Sequence, residues 1–140
     1  MSDVIDLKAI LDEHADCDYT KRVPSGLEQL DPAGIARVID QSRGSDRPVV
    51  LKFGKDFCGW TKKLNRALQE IVPLYREKAD FYEVNLPSYE HLWAEWNITT
   101  SPMTILIKDG KEVDRSDAAE AHEVPPLFEA WFGPPSANEA

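Results

Sequence analysis

The chain has 140 residues, 16 Lys and Arg against 25 Asp and Glu, a formal net charge of -9, and 42% hydrophobic residues. That length suits one domain with one core, the apolar content excludes wholesale disorder, and the acidic field opposes nucleic acid or an anionic membrane surface as the main partner. No apolar run approaches a bilayer span, and the first residues carry acids where a signal peptide would carry positive charge, so a cytoplasmic location is expected.

In chain order, Val4, Leu7, Ile10 and Leu11 recur at three-to-four spacing and predict a short amphipathic helix within Asp3 to Ala15. The polar stretch from Asp16 to Gly26 reads as a connector, so residues 1–26 form an N-terminal extension, 27–133 the domain, and 134–140 a tail. Leu27 to Leu30 predicts a short edge strand. Asp31-Pro32 then starts a helix, with an acceptor side chain at the N-cap and proline in the first turn, where no amide donor is needed. Ile35, Val38 and Ile39 form its buried face, and Gly44 can end it.

Pro48 to Phe53 is a nearly continuous apolar run, as in a central strand covered on both faces. A helix follows from about Cys58, burying Leu64, Leu68, Ile71, Val72 and Tyr75 until Pro73 bends or shortens it. Asp80 to Leu86 reads as a strand. Ser88 can cap a helix carrying Leu92, Trp93 and Trp96. Met103 to Lys108 is another strand, which Asp109-Gly110 returns as an antiparallel strand from Lys111 to Asp114. The acids from Glu112 to Glu123 read as a solvated loop face. A last helix opens at Pro125-Pro126, turns Leu127, Phe128, Trp131 and Phe132 inward, and ends before Gly133. Together these elements predict an α/β fold, a central mixed β-sheet flanked by helices on both faces.

Two cysteines, Cys17 and Cys58, are too few for a disulfide framework, so the question is what each thiol does. Cys58 stands where the apolar strand hands over to a helix. There, unpaired amides and the helix dipole would stabilise a thiolate, with Lys55, Lys62 and Lys63 adding positive charge. A buried, inert thiol is the alternative. Cys17 is either a distant resolving thiol or a free thiol in the connector. His14 and Cys17 are two ligands at most, and His91 and His122 lack ligand-like neighbours, so no metal and no cofactor is expected.

The order Pro48 to Phe53, Cys58-Gly59-Trp60-Thr61, Asn97 to Pro102 and Ile105 to Lys111 resembles the thioredoxin family, from Leu27 to Gly133. The resemblance implies a thioredoxin-like fold in which Pro102 is cis and lies beside the thiol, with Ser101 pairing to a bound peptide. Three departures accompany it. Thr61 replaces the second cysteine of the family's Cys-x-x-Cys turn, so no thiol within the motif can resolve a mixed disulfide. Lys52 stands where members commonly bury an acid beneath the cysteines, and needs a partner such as Asp56 or Glu83. The approach to the motif is reduced to Gly54-Lys55-Asp56-Phe57.

The resemblance thus implies an atypical monothiol oxidoreductase. Cys58 is the nucleophile, with Thr61 and Pro102 beside it, and Gly59, Trp60, Ser101 and Lys52 are on the substrate-binding side. Its partner would be a protein disulfide or a low-molecular-weight thiol, in keeping with cell redox homeostasis. Two other readings stand: a redox-inactive binding module that keeps the fold, and, because Cys-Gly-Trp-Thr also resembles the Cys-Gly-Phe-Ser of monothiol glutaredoxins, a glutathione or iron–sulfur carrier.

Overall fold

The structure is a computed structural model that describes residues 23–55 and 59–135. The N-terminal helix expected within Asp3 to Ala15, both cysteines, Asp56, Phe57 and residues 136–140 lie outside the described residues.

Five strands form one sheet. They are β1 (Glu28–Gln29), β2 (Val49–Gly54), β3 (Asp80–Asn85), β4 (Met103–Lys108) and β5 (Lys111–Ser116), in the spatial order β1-β3-β2-β4-β5. The β1–β3 and β2–β3 pairs are parallel, and the β2–β4 and β4–β5 pairs antiparallel. The predicted edge strand is therefore present as β1, and the apolar run is central. All six residues of β2 are buried, which is why its sequence lacks polar alternation.

The α-helices are α1 (Pro32–Ser42), α2 (Gly59–Ile71), α3 (His91–Glu95) and α4 (Val124–Phe132). Asp31 caps α1 as its sequence requires, its Oδ1 accepting from the Gly34 amide at 2.7 Å. Pro73 ends α2, and the chain tightens into a 3-10 turn over Val72–Leu74. Ser88 does not cap α3. Leu86–Ser88 is itself a 3-10 turn started by Pro87, the helix begins three residues later, and the Ser88 hydroxyl accepts from Asn85 Nδ2 instead.

Alternation along the strands splits the core in two. Val50, Phe81 and Leu106 meet Leu64 and Leu68 of α2 and Phe128 of α4 on one face. Leu51, Phe53 and Ile105 meet Ile35 and Val38 of α1 and Leu92 of α3 on the other. Each such fully buried side chain contributes roughly 1.5–3 kcal/mol relative to exposure. Asp109 and Gly110 turn the β4–β5 hairpin at φ 51° and 74°, the geometry a two-residue loop needs to match the twist of its strands. Leu127, Trp131 and Phe132 are half-buried at the rim of the first core, and Gly133, at φ 81°, closes α4.

Candidate active site

Three segments converge at the end of the sheet where β2 leaves and β4 enters, with Phe53 opposite Met103. The loop before β4 carries a cis peptide bond between Ser101 and Pro102. The Lys55 amide, just past β2, donates to Ser101 Oγ at 3.2 Å, and Thr61 Oγ1, in the first turn of α2, lies 3.4 Å from the same atom. The second contact is long for two hydroxyls, so shape does more than hydrogen bonding to hold the junction. Thr61 is completely buried, and its side chain occupies the space above Gly54, where a β-carbon would lie 2.9 Å from Thr61 Cγ2. Glycine at the last position of β2 is what lets α2 approach this closely.

Beneath this junction is a charged pair. Lys52 faces Glu83 across the β2–β3 register. Its Nζ donates to Glu83 Oε2 at 2.9 Å, and Ser25 Oγ donates to the same oxygen at 2.7 Å. Lys52 is 2% exposed and Glu83 5%. Two charges this deep persist only when each is paired and hydrogen-bonded, since the loss of hydration is otherwise uncompensated. The same β-carbon position at Gly54 lies 3.7 Å from Lys52 Nζ, which puts the ammonium under the first turn of α2.

Above the junction the surface opens. Trp60 is 51% exposed, and Lys63 Nζ sits 4.6 Å from its ring centroid, within reach of the negative face of the indole. A cleft of about 310 Å³ runs beside it, lined by Trp60, Thr100, Ser101, Pro102, Asp117 and Glu120, with Ala119 and Glu123 completing the wall.

Thr61 and Ser101 are in contact, Trp60, Ser101 and Pro102 line one cleft, and Gly59 opens α2 beside them. Cys58 precedes Gly59 in the chain and lies outside the described residues. Glu83, one of the two partners expected for Lys52, is observed in that role, and Asp56, the other, lies outside the described residues. Lys52, expected on the substrate-binding side, is 2% exposed with its Nζ donating to Glu83, and it is not among the residues that line the cleft. Of the acids read as a solvated loop face, Glu112, Asp114, Asp117 and Glu123 are exposed and Glu120 is partly so, and several also make local contacts. Asp117, Glu120 and Glu123 wall the cleft, Glu112 accepts from the Arg115 guanidinium at 2.6 Å, and Asp114 accepts from Trp131 Nε1 at 2.8 Å.

Ser25 and Gly54 are the residues that sequence reasoning missed. A glycine closing a buried strand was a legible sign of close approach. Nothing around Ser25 distinguished it from a turn residue, yet it is 1% exposed. The Asn65 side chain of α2 also donates to the Val23 carbonyl at 2.7 Å, so the end of the connector is tied to the domain.

The thioredoxin family model matches residues 33–125. Thioredoxin H8 of Arabidopsis thaliana is 28% identical over 72 residues, covering 51% of this chain and 48% of that protein, so the chain matches about half of that relative's length. Monothiol glutaredoxin-S17 of the same plant is 26% identical over 82 residues, which is 59% of this chain and 17% of the relative. Among solved structures, thioredoxin NaTrxh of Nicotiana alata superposes with a TM-score of 0.68 at 20% identity, covering 78% of this chain and 95% of that one. At that identity the likeness shows the fold.

Proposed function

This chain belongs to the thioredoxin family, and from that premise we propose that it is a thiol–disulfide oxidoreductase working through one motif cysteine, Cys58. The observation that carries the reading is Thr61. The position two residues beyond Gly59, where a dithiol enzyme keeps its resolving sulfur, holds a hydroxyl packed shut between Gly54 and Ser101.

The chemistry then takes two external thiols. The Cys58 thiolate attacks one sulfur of a substrate disulfide, the mixed disulfide forms, and the second substrate sulfur leaves as a thiolate that takes a proton from water. A low-molecular-weight thiolate next attacks the substrate sulfur of the mixed disulfide and releases Cys58. A second such thiol frees the substrate, so the pair supplies two electrons and departs as its own disulfide. The field of α2 supports the first step. Gly59, the residue after Cys58, is the first of thirteen in that helix, and a helix N-terminus favours an anion. Ser101 and Pro102 line the cleft in which an extended peptide would lie. The likeness to a protein named as a monothiol glutaredoxin is compatible with single-cysteine chemistry.

A docking module with an idle thiol is the second reading, favoured by the half-exposed Trp60 at the cleft rim. Turnover of a small disulfide with reduced glutathione separates the two. The enzyme reading predicts a catalysed rate that rises with glutathione, survives Cys17→Ser and vanishes in Cys58→Ser. Equal rates for wild type and Cys58→Ser would leave the docking module.

A further inference from the structure

We propose that the cleft selects extended peptides carrying Lys or Arg next to the disulfide under attack. The inference names the substrate class of the same site and so rests on the oxidoreductase reading given above. Three observations carry it. The cleft is large enough, at about 310 Å³, to receive a few side chains of an extended strand. One rim is the exposed indole of Trp60, already in contact with the Lys63 ammonium, so the ring's face is shown to accept a cation. The same cleft is lined by three acids, Asp117, Glu120 and Glu123, together with the loop of Thr100, Ser101 and Pro102, where the peptide backbone would run.

The three acids are not equivalent. Glu123 Oε1 accepts from the Ala119 and Glu120 amides at 3.4 and 3.2 Å, which fixes the bend of the wall, so its main work is local. Glu120 Oε2 is 3.4 Å from His122 Nδ1, an exposed contact of the kind that contributes little. Asp117 is exposed. Asp117 and Glu120 are therefore the carboxylates that would meet a peptide cation. Complementary charge at a rim acts chiefly on the rate of encounter and is screened by salt.

The test uses three peptides of one sequence with a single cysteine held as its mixed disulfide with 2-mercaptoethanol, flanked by Lys, Gln or Glu. Attack of the Cys58 thiolate on the peptide sulfur releases 2-mercaptoethanol, whose appearance gives the second-order rate constant. The expected order is Lys over Gln over Glu, with about tenfold between the extremes at ~10 mM salt and convergence near ~0.5 M, where charge interactions are screened within a few ångströms. Asp117→Asn/Glu120→Gln should bring the Lys-to-Glu ratio to about threefold or less at low salt, since two of the three wall charges are gone. Asp40→Asn/Asp46→Asn removes the same net charge from α1 and the loop after it, and should keep most of the ratio.

Equal rates for the three peptides at low salt would overturn the proposal, as would an equal fall in the ratio in the two double variants, which would assign the preference to net charge alone. Binding of the Lys and Glu peptides, made with Ser in place of their cysteine, to Cys58→Ser, read by fluorescence anisotropy, separates the two claims. No exchange with any peptide but tighter binding of the Lys peptide defeats the oxidoreductase reading and keeps the cleft's preference. Exchange without any charge preference does the reverse.

Discussion

Lys52 and Glu83 are held in place by their mutual dependence. Removing Lys52 leaves a carboxylate at 5% exposure without the ammonium that pairs with it, whereas removing both leaves no buried charge to compensate. Lys52→Met should therefore cost about 3–5 kcal/mol in urea unfolding, and Lys52→Met/Glu83→Leu markedly less than Lys52→Met alone. A double variant at least as unstable as the single one would show that the pair is net stabilising rather than mutually obligatory. The same scale holds a direct test of the monothiol reading. Thr61→Cys places a thiol where the family keeps its resolving sulfur, so in a single turnover the pre-reduced variant should release substrate at a rate independent of added glutathione, the two motif thiols ending as a disulfide that glutathione reduces only afterwards. First-order dependence of that single-turnover release on glutathione would argue against the role assigned to position 61.

At the scale of elements, the site is made by how closely α2 sits on the end of β2. Gly54→Ala would set a β-carbon 2.9 Å from Thr61 Cγ2 and should destabilise the fold by about 1–3 kcal/mol, as overpacking does. Thr61→Ala in the same chain should recover much of the loss, because it removes the methyl and the hydroxyl that crowd the new carbon. A loss unchanged by Thr61→Ala would place the strain elsewhere. Much of this framework was legible. Val49 to Phe53 declared a central strand by lacking polar alternation, Asp31-Pro32 marked a helix start by capping chemistry, and Asp109-Gly110 fixed the hairpin by its tolerance of positive φ. What was illegible depended on neighbours distant in the chain. That Glu83 meets Lys52 follows from strand register, and Ser25 became buried through a bond 58 residues away. Ser88 misled because Pro87 begins a 3-10 turn as readily as it precedes a cap. The acids after β5 are polar in pattern and largely exposed, but that Asp117, Glu120 and Glu123 line one cleft with Trp60 depends on the fold.

Across the whole molecule, the sheet is sealed by an apolar layer on each side, and on the α2–α4 side the aromatic rings pack against one another. Tyr75 sits there, 5.5 Å from Phe128 and 5.9 Å from Phe132 between ring centroids. Burial pushes its phenol above the usual value of 10.0, and the Glu129 carboxylate adds to the rise. A group with a raised folded pKa gives stability that is complete below its unfolded pKa and is lost as pH climbs through the folded one. Unfolding free energy should hence fall above about pH 10, and Tyr75→Phe should flatten part of that fall. Tyr82, raised chiefly by burial as well, acts in the same direction. An identical alkaline slope in Tyr75→Phe would remove Tyr75 from the explanation. Among the described residues no helix is long and apolar enough to cross a membrane. Everything proposed of function nevertheless passes through one sulfur, and its reactivity can be read by itself. In the full chain carrying Cys17→Ser, the rate of iodoacetamide alkylation against pH reports the Cys58 thiolate alone. The account predicts a midpoint clearly below the free-cysteine value of about 8.5, and a midpoint at or above that value would contradict it.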